Sequence, residues 1–382
     1  MNAPFLHWLL PLAFLVEAEP KPAPPGATCV IAAHDSSDRS KAGADYVCDG
    51  EGDQEEINAA IKSLPEAGGR VLLMEGTFDI RRVEGQLGGV LIERSNVTLE
   101  GQGPSTKLVQ APAQETNVVR IIGSGVGHIV IRNLYVDANR DANPIGEGDP
   151  NVSHARFEFC GIKAFCARPG GGGEPCHNIT IEHCYVMNAR RLGIMLEGRN
   201  MRVLNNVLGN AFSDSVEILT GPGEIRGNYA DITAKTHVAF GSDRGDNIVM
   251  ANNIVHVRDG GDLDIGFRSW ADSQRHVIEG NIVTVDKGGK CAIAIDARGY
   301  GAIITGNHTY TANDEKLLVK IGAGKTIVTG NVFENTVVEV DDTTGADKPI
   351  VVDGNVLENS SVTVKKGRVR GDSISQPATT GE

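Results

Sequence analysis

Acidic and basic residues occupy corresponding places in several short strands predicted near the middle of the chain. In Val216-Glu-Ile218, Leu263-Asp-Ile-Gly-Phe267 and Ile293-Ala-Ile295, apolar residues alternate with residues of other types. Because the side chains of a β-strand point alternately to its two faces, the intervening residues are expected on the outer face. With the adjoining turns, this face supplies a candidate catalytic group of Glu217, Lys235, His237, Asp264 and Arg268.

These residue types suit removal of a proton from the carbon beside a sugar carboxylate. β-Elimination from a uronate, and the related C5 epimerisation, need a cation that neutralises the carboxylate and a base that removes the C5 proton. Arg268 or Arg191 is the candidate cation, and His237 or Lys235 is the candidate base. His237 is the stronger base candidate, because nearby carboxylates can tune an imidazole towards neutral pH.

Paired carboxylates support a second reaction, the hydrolysis of a glycosidic bond. Glu217 could act with Asp264 or with Asp296. Strands on neighbouring coils lie about 4.8 Å apart, so the two-coil step from Glu217 to Asp264 predicts a backbone separation of roughly 9 to 10 Å. That separation is near the upper limit for an inverting pair. The alternative for each of these residues is an ordinary solvated charge ladder.

Flanking residues supply candidate substrate and metal contacts. The candidate substrate-binding residues are Lys163, Arg190, Arg191, Asp296 and Arg298. The stretch Asp137-Ala-Asn-Arg-Asp141 places oxygen ligands at every second residue, as calcium loops do, so Asp137, Asn139 and Asp141 are a candidate calcium site. The acidic stretch Asp259–Asp264 is a second candidate, and hydrated loops are the alternative at both places.

Seven cysteines allow disulfides or a metal site. Cys29 and Cys48 flank the first ordered segment and could tie it down. A second group lies close to three histidines and a Gly-rich insertion, and it consists of Cys160, Cys166, Cys176 and Cys184. This group could bind zinc, although disulfides are favoured if the chain is exported.

The elements that hold these residues repeat along the chain. Short apolar strands end in a Gly-Asn or Asn-Asn step at Asn206, Asn228, Asn253, Asn281, Asn307, Asn331 and Asn355, which are 22, 25, 28, 26, 24 and 24 residues apart. Such a period predicts a solenoid, and the alternation of period two within four- to six-residue runs predicts strands. We therefore predict a single all-β domain, a right-handed parallel β-helix of about 11 coils, roughly 50 Å long.

The ends of the chain differ from the repeats. We predict a signal peptide at 1–18, a Pro-rich linker at 19–27, and an N-terminal strand with a capping helix at 28–69. Asp53 and Glu56 predict a capping box for that helix. The β-helix is predicted at 70–364, and a flexible polar tail at 365–382.

Charge and apolar patterning exclude two classes of partner. The formal net charge is −13, which disfavours nucleic acid and means that an anionic substrate would need a local basic groove. The only long apolar stretch, Phe5 to Val16, is too short to span a bilayer comfortably.

Several stretches resemble the pectate-lyase-like (pectin-lyase-fold) β-helix proteins. They are Asp45-Tyr-Val-Cys-Asp-Gly50, Ile57-Asn-Ala-Ala-Ile61, Gly68-Gly-Arg-Val-Leu-Leu73 and Asn96-Val-Thr-Leu-Glu-Gly-Gln-Gly103, followed by coils similar to parallel β-helix repeats. The resemblance covers about residues 28–364 and implies an extracellular protein that acts on, or grips, polysaccharides, in some members with calcium. The Tyr-Gly-Phe-Asp-Pro-His motif of the mannuronan epimerases is absent.

The combined expectation is a secreted carbohydrate-active protein with an acidic polysaccharide as its partner. A lyase or C5 epimerase acting on a uronate polymer is the first interpretation. A glycoside hydrolase of the same fold is the second, and a non-catalytic carbohydrate-binding or surface adhesion protein is the third.

Overall fold

Short parallel strands, stacked coil upon coil, form nearly the whole structure. It is a computed structural model that describes residues 27–143, 159–165, 173–344 and 348–371. The strands form three parallel sheets, which we call sheets I, II and III in the order in which the chain enters them within a coil. Sheet II contains 11 strands. The predicted all-β parallel β-helix is confirmed.

The strand bounds define the three sheets. Sheet I contains Ala27–Ala32, Tyr46–Val47, Gly69–Leu73, Val97–Glu100, Gly127–Arg132, Cys176–Glu182, Gly223–Arg226, Ile248–Ala251, Val277–Glu279, Ile303–Thr305, Ile327–Thr329, Ile350–Asp353 and Val369–Arg370. Sheet II contains Gly76–Ile80, Thr106–Gln110, Tyr135–Asp137, Tyr185–Met187, Val207–Gly209, Tyr229–Ile232, Ile254–Val257, Ile282–Val285, His308–Thr311, Val332–Glu334 and Val356–Glu358. Sheet III contains Gly88–Ile92, Asn117–Ile121, Ile162–Phe165, Asp214–Ile218, Lys235–Ser242, Asp262–Ser269, Lys290–Ala297, Leu317–Ile321, Thr336–Asp341 and Ser361–Lys366. The long strand Ile194–Leu204 joins sheet III to sheet I.

Equivalent apolar residues on successive coils stack in register to form the core. In sheet I one such inward column consists of Val203, Ile225, Met250, Ile278, Ile304, Val328 and Val352. All of these side chains are buried. Burial of each of these side chains contributes about 1.5–3 kcal/mol relative to exposure. The inward apolar residues of the alternating pattern are therefore the main source of stability along the β-helix.

The repeated asparagines form a hydrogen-bonded ladder in the turn between sheets I and II. The Asn253 side chain donates to Ile225 O at 2.9 Å and to Asn281 Oδ1 at 3.0 Å, and its own Oδ1 accepts the backbone and side-chain N–H groups of Asn228. The same pattern recurs from Asn206 to Asn331. The residue before each ladder asparagine adopts positive φ, as Gly227 and Asn252 do. In each Gly-Asn or Asn-Asn step, the first residue therefore turns the chain, and the second residue links neighbouring coils by hydrogen bonds.

Asn253→Ala is expected to lower the free energy of unfolding by about 3 kcal/mol, because it leaves buried backbone and amide groups of two neighbouring coils without partners. The measurement is the urea midpoint followed by circular dichroism. Asn252→Gly is the matched control in the same turn, and it should change stability little because glycine accepts positive φ. An equal effect of the two substitutions would contradict the role of the ladder.

The N-terminal segment covers one end of the β-helix. Two α-helices, Asp38–Ala42 and Gln54–Ser63, and two 3₁₀ turns, Gly103–Ser105 and Arg140–Ala142, are present among the described residues. The helix Gln54–Ser63 buries Ile57, Ala60 and Ile61, as predicted from its apolar stripe.

The predicted capping box of that helix is wrong. The Asp53 carboxylate makes no bond to the first turn of the helix and instead accepts the backbone N–H groups of Gly50 and Asp79, both at 2.8 Å. It therefore ties the helix start to a turn and to sheet II.

The predicted boundaries differ at the C-terminus. Strands continue to Val369–Arg370, beyond the expected limit at residue 364. The predicted signal peptide at 1–18 and most of the predicted linker lie outside the described residues. In the part of the chain that is described, no helix has the length and apolar character needed to cross a membrane.

Candidate functional site

A single column of residues on sheet III carries most of the predicted charges. The strand register aligns Arg120, Lys163, Met195, Glu217, Gly241, Arg268, Asp296, Lys320 and Glu339 across successive coils. The sequence predicted outward positions for Lys163, Met195, Glu217, Gly241, Arg268, Asp296 and Lys320, and the register places these residues in one column. Gly241 separates Glu217 from Arg268, and an added Cβ there would lie 3.4 Å from Asp214 Oδ2 and 3.5 Å from Arg268 Nε. Arg268 thus reaches across Gly241 to acids two coils back.

Three carboxylates meet one guanidinium nitrogen at this place, forming what we call the carboxylate–arginine cluster. Arg268 Nη2 lies 2.7 Å from Asp214 Oδ2, 3.1 Å from Glu217 Oε1 and 2.6 Å from Asp243 Oδ1. Asp214, Glu217 and Arg268 are only 2%, 3% and 6% exposed. The Asp243 side chain is 34% exposed and forms the solvent-facing edge of the cluster.

Burial and mutual repulsion set the protonation of the cluster. Burial raises the pKa of Glu217 well above its usual range, and the charges of Asp214 and Asp243 raise it further. Burial also raises the pKa of Asp214, against the attraction of Arg268. Burial opposes the charge of Arg268, but the three carboxylates outweigh it and raise its pKa. One cation thus faces three acids, and burial favours the protonated form of Glu217.

An aromatic ring lies beside the cluster. The Trp270 side chain lies between two guanidinium groups, with Arg268 Cζ 5.5 Å and Arg298 Cζ 4.5 Å from the ring centroids, and the residue is 36% exposed. Arg298 binds the buried Asp296 with two hydrogen bonds of 2.9 and 2.8 Å. A groove of about 330 Å³ continues from here, lined by Asp296, Arg298, Lys320, Glu339, Asp341 and neighbouring residues.

A second group lies nearer the start of the same strands. His237 Nδ1 lies 2.8 Å from Asp264 Oδ2, and Lys235 Nζ contacts Asp264 Oδ1 and lies 3.2 Å from Asp262 Oδ1. Partial burial opposes ionisation of Asp264, but the hydrogen bonds from Lys235 and His237 outweigh it and lower its pKa. The His237 side chain is 47% exposed, so its ring is accessible while an ionised Asp264 holds it.

The five residues of the predicted catalytic group therefore divide into two groups. Glu217 and Arg268 belong to the carboxylate–arginine cluster, whereas Lys235, His237 and Asp264 form the second group. Asp264 precedes Arg268 by four residues on one strand, an offset of about 13 Å along the strand. The estimate of 9 to 10 Å for Glu217 and Asp264 is therefore too short, and the carboxylates that approach Glu217 are Asp214 and Asp243.

The predicted substrate-binding residues are dispersed. Lys163 and Arg191 are buried rather than exposed, and Lys163 Nζ lies 5.4 Å from the Phe165 ring centroid. Arg190 lies over the ring of Phe212 at 5.4 Å. Asp296 and Arg298 border the groove beside Trp270, so these two are the ones that lie next to the cluster.

The candidate calcium stretch is occupied by internal hydrogen bonds. The Asp137 carboxylate accepts the Asn139 N–H at 2.8 Å and the Asn188 amide at 3.1 and 3.2 Å. The Asn139 amide donates to Gln110 O at 3.0 Å, and Asp141 is exposed. In the second acidic stretch, Asp262 and Asp264 bind Lys235. Calcium at either place stays a prediction.

The cysteines that the structure describes are mostly thiols. Cys29, Cys48, Cys160, Cys184 and Cys291 are in the thiol form, so the expected tie between Cys29 and Cys48 is absent. Cys184 replaces asparagine in the ladder, where its N–H donates to Asn206 Oδ1 at 2.9 Å. Burial raises its pKa to about 12, and its sulfur donates to Glu182 O at 3.3 Å. Zinc binding by the predicted cysteine group stays a prediction. Cys166 lies outside the described residues.

Two residues of this site were not selected from the sequence. Asp243 and Trp270 each stand two residues beyond the aligned column, after Gly241 and Arg268. The alternation of strand side chains, continued past the ends of the apolar runs, would have placed both on the outer face.

Comparisons with known proteins identify the fold. No family model matches the chain, and no curated protein matches it. The A-module of mannuronan C-5 epimerase AlgE6 from Azotobacter vinelandii superposes with a TM-score of 0.57 and 19% identity, over 87% of this chain and 97% of that one.

Two further solved structures agree. DFA-IIIase from Arthrobacter chlorophenolicus A6, in complex with GF2, gives a TM-score of 0.52 and 11% identity over 90% and 88% of the chains. The N-terminal fragment of bacteriophage Phi29 gene product 12 gives 0.57 and 16% identity over 86% of this chain and 64% of that chain. The protein thus has the right-handed parallel β-helix fold.

Proposed function

We propose that this chain is an extracellular enzyme that cleaves glycosidic bonds of an uncharged glycan by acid catalysis. The observation that supports this is the meeting of Glu217 and Asp243 at one arginine nitrogen, 3.1 and 2.6 Å away. The two carboxyl groups are consequently less than about 6 Å apart, the range in which carboxylates share a proton or act as a pair on one bond.

The proposed path of the proton follows from exposure. Glu217 is buried and holds the proton, whereas Asp243 forms the exposed edge of the cluster. In the proposed step, Glu217 transfers its proton to Asp243, and Asp243 passes it to the glycosidic oxygen as the bond from that oxygen to the anomeric carbon breaks. A water molecule from solvent adds to the anomeric carbon, and the proton it releases returns through Asp243 to Glu217. Arg268 holds the two groups in place, and Trp270 offers an aromatic surface on which a sugar ring can pack.

Charge argues for a neutral substrate. Arg268 is surrounded by three carboxylates, Lys235 is bound to two, and Arg298 is bound to Asp296. These cations are already neutralised, and the cluster has an excess of negative charge that repels a uronate. An acidic polysaccharide, the substrate expected from the sequence, would need a bound cation such as calcium to approach this face.

A glycan panel tests the proposal. The protein is incubated with fructan, glucan, mannan and xylan, and with pectate and alginate in the presence and absence of calcium, while new reducing ends and unsaturated products are measured. New reducing ends without unsaturation support acid-catalysed cleavage. Binding of a glycan without either product would instead establish a binding protein and refute the catalytic proposal.

A second candidate, β-elimination, is favoured by the exposed pair of His237 and Asp264. An ionised Asp264 holds the imidazole through Nδ1 and leaves its other nitrogen directed to solvent as a base.

If elimination occurs, His237→Ala is expected to lower formation of unsaturated product by about 10²–10⁴-fold, because the base is lost. The measurement is the absorbance of the unsaturated product. His308→Ala is the matched control, since His308 is similarly exposed and bonded to Glu334 but lies on sheet II. Unchanged elimination in His237→Ala would remove His237 from the reaction.

A further inference from the structure

Three potential metal ligands meet at the N-terminal cap, far along the chain from the carboxylate–arginine cluster. Cys48 follows the short strand Tyr46–Val47, Asp53 precedes the helix Gln54–Ser63, and Glu56 lies in its first turn. The Cys48 sulfur and one carboxylate oxygen from each acid all lie within 4.8 Å of one another.

The cysteine of this group is buried without a polar partner. Cys48 is 3% exposed, and within the described residues its sulfur makes no hydrogen bond. Its nearest polar neighbours are the carboxyl groups of Asp53 and Glu56, neither of which forms an ion pair with a described lysine or arginine. A thiol beside two acids, without a cation, is an unfavourable combination for ordinary core packing.

The electrostatics of the three groups agree with a missing positive charge. Burial raises the pKa of each group, and the charges of neighbouring acids raise them further. In Asp53 the hydrogen bonds from Asp79 and Gly50 partly oppose the increase. A cation bound here would reverse these effects and favour the thiolate and both carboxylates.

We propose that Cys48, Asp53 and Glu56 bind a zinc ion that fastens the capping helix to the first strands of the β-helix. Sulfur is a soft ligand, which favours zinc over calcium or magnesium. Tetrahedral zinc needs ligand atoms about 3.5 Å apart, so ligand atoms that lie up to 4.8 Å apart must approach by up to about 1.3 Å. Water would supply the fourth ligand.

His34 lies beside the turn that holds Asp53. Its side chain is exposed, and a Cβ added to Gly50 would lie 2.8 Å from His34 Nδ1. Gly50 has φ of +94° and donates its N–H to Asp53 Oδ1 at 2.8 Å. The glycine therefore allows the imidazole ring to rest over this turn.

Cobalt substitution tests the assignment on the full chain. Addition of Co²⁺ alone to the reduced, metal-stripped protein is expected to produce a thiolate charge-transfer band, which Cys48→Ser abolishes and Cys29→Ser retains. Cys29 is the matched control because it is a buried thiol in the same cap but has Asp45 beside it instead of this pair of acids. Glu56→Gln, which keeps the cysteine and the side-chain shape, should weaken Zn²⁺ binding at least about tenfold.

Stability provides an independent measurement. Zn²⁺ should raise the melting temperature of the native chain and of Cys29→Ser, and should have little effect on Glu56→Gln. Absence of the charge-transfer band, its persistence in Cys48→Ser, or equal Zn²⁺ affinity in Glu56→Gln would each refute the site. Should Cys48→Ser fail to fold, the comparison of Glu56→Gln with the native chain still decides the question.

Discussion

Glu217→Gln is expected to lower glycan cleavage by about 10²–10⁴-fold, the usual contribution of a positioned general acid. Glutamine keeps the size of the side chain and its contact with Arg268 but cannot return a proton to Asp243. The loss should appear in kcat more than in KM, because Glu217 is buried and Asp243 and Trp270 face the substrate. The measurement is steady-state kinetics on the glycan that the panel identifies.

The same substitution should not destabilise the fold. Burial raises the pKa of Glu217 in the folded protein. Between the ordinary pKa of a glutamate and this raised pKa, the folded protein therefore binds a proton that the unfolded chain has released. Ionisation of the folded form therefore costs stability as pH rises through the raised pKa, and glutamine removes that cost. The free energy of unfolding of the variant should match the native protein near pH 5 and equal or exceed it near pH 8.

A substitution at a surface carboxylate distinguishes loss of the proton donor from a general effect of removing a negative charge. Glu224→Gln, on sheet I, alters a carboxylate that is bonded to Arg226 and should leave activity and its pH dependence unchanged. Wild-type activity should fall as pH rises above the pKa of Glu217. Retained kcat in Glu217→Gln, or an equal loss in Glu224→Gln, would refute the proposed proton donor.

Arg268→Met is expected to lower the free energy of unfolding by about 3–5 kcal/mol, since it leaves buried carboxylates without their counter-charge. Methionine keeps much of the apolar stem but removes the nitrogen that contacts Asp214, Glu217 and Asp243. The measurement is urea unfolding followed by circular dichroism.

The loss should depend on pH in a defined direction. Without the guanidinium, the pKa values of the cluster carboxyls rise further, so the deficit should grow as pH rises and shrink as protonation removes the unpaired charges. Arg226→Met is the control, because that arginine is more exposed and pairs with Glu224 and Glu279 on the surface, where ion pairs contribute about 0–1 kcal/mol. A pH-independent loss in Arg268→Met would show that packing, not charge, dominates.

The fold could be predicted from the sequence because its signals are local and repeated. A Gly-Asn step requires one residue with positive φ and one that links coils, and both requirements recur in every unit from Gly227 onward. The capping box failed for the opposite reason. Asp53 and Glu56 have the spacing of a capping box, but the Asp53 carboxylate accepts backbone N–H groups of a turn and of a sheet II strand instead of those of the helix.

The candidate site was predicted only in part, because register fixes neighbours across coils but not the reach of long side chains. Glu217, Arg268 and Asp296 were selected as outward-facing residues of the middle coils, and the register aligns them in one column. Arg268 then extends past Gly241 and binds acids two coils away. Alternation alone also treats every outward residue as exposed, which is why the burial of Lys163 and Arg191 was not foreseen.

The asparagine ladder has a consequence for how such a rod can change length. Each ladder asparagine bonds to the coil before it and to the coil after it, so every internal junction is chemically equivalent. A whole coil can be gained or lost while each surviving asparagine still meets another asparagine, whereas a partial coil would leave mismatched partners. The length of the rod can therefore change only by whole coils, and the coils beyond Asn307 can vary in number without altering the residues that surround Arg268.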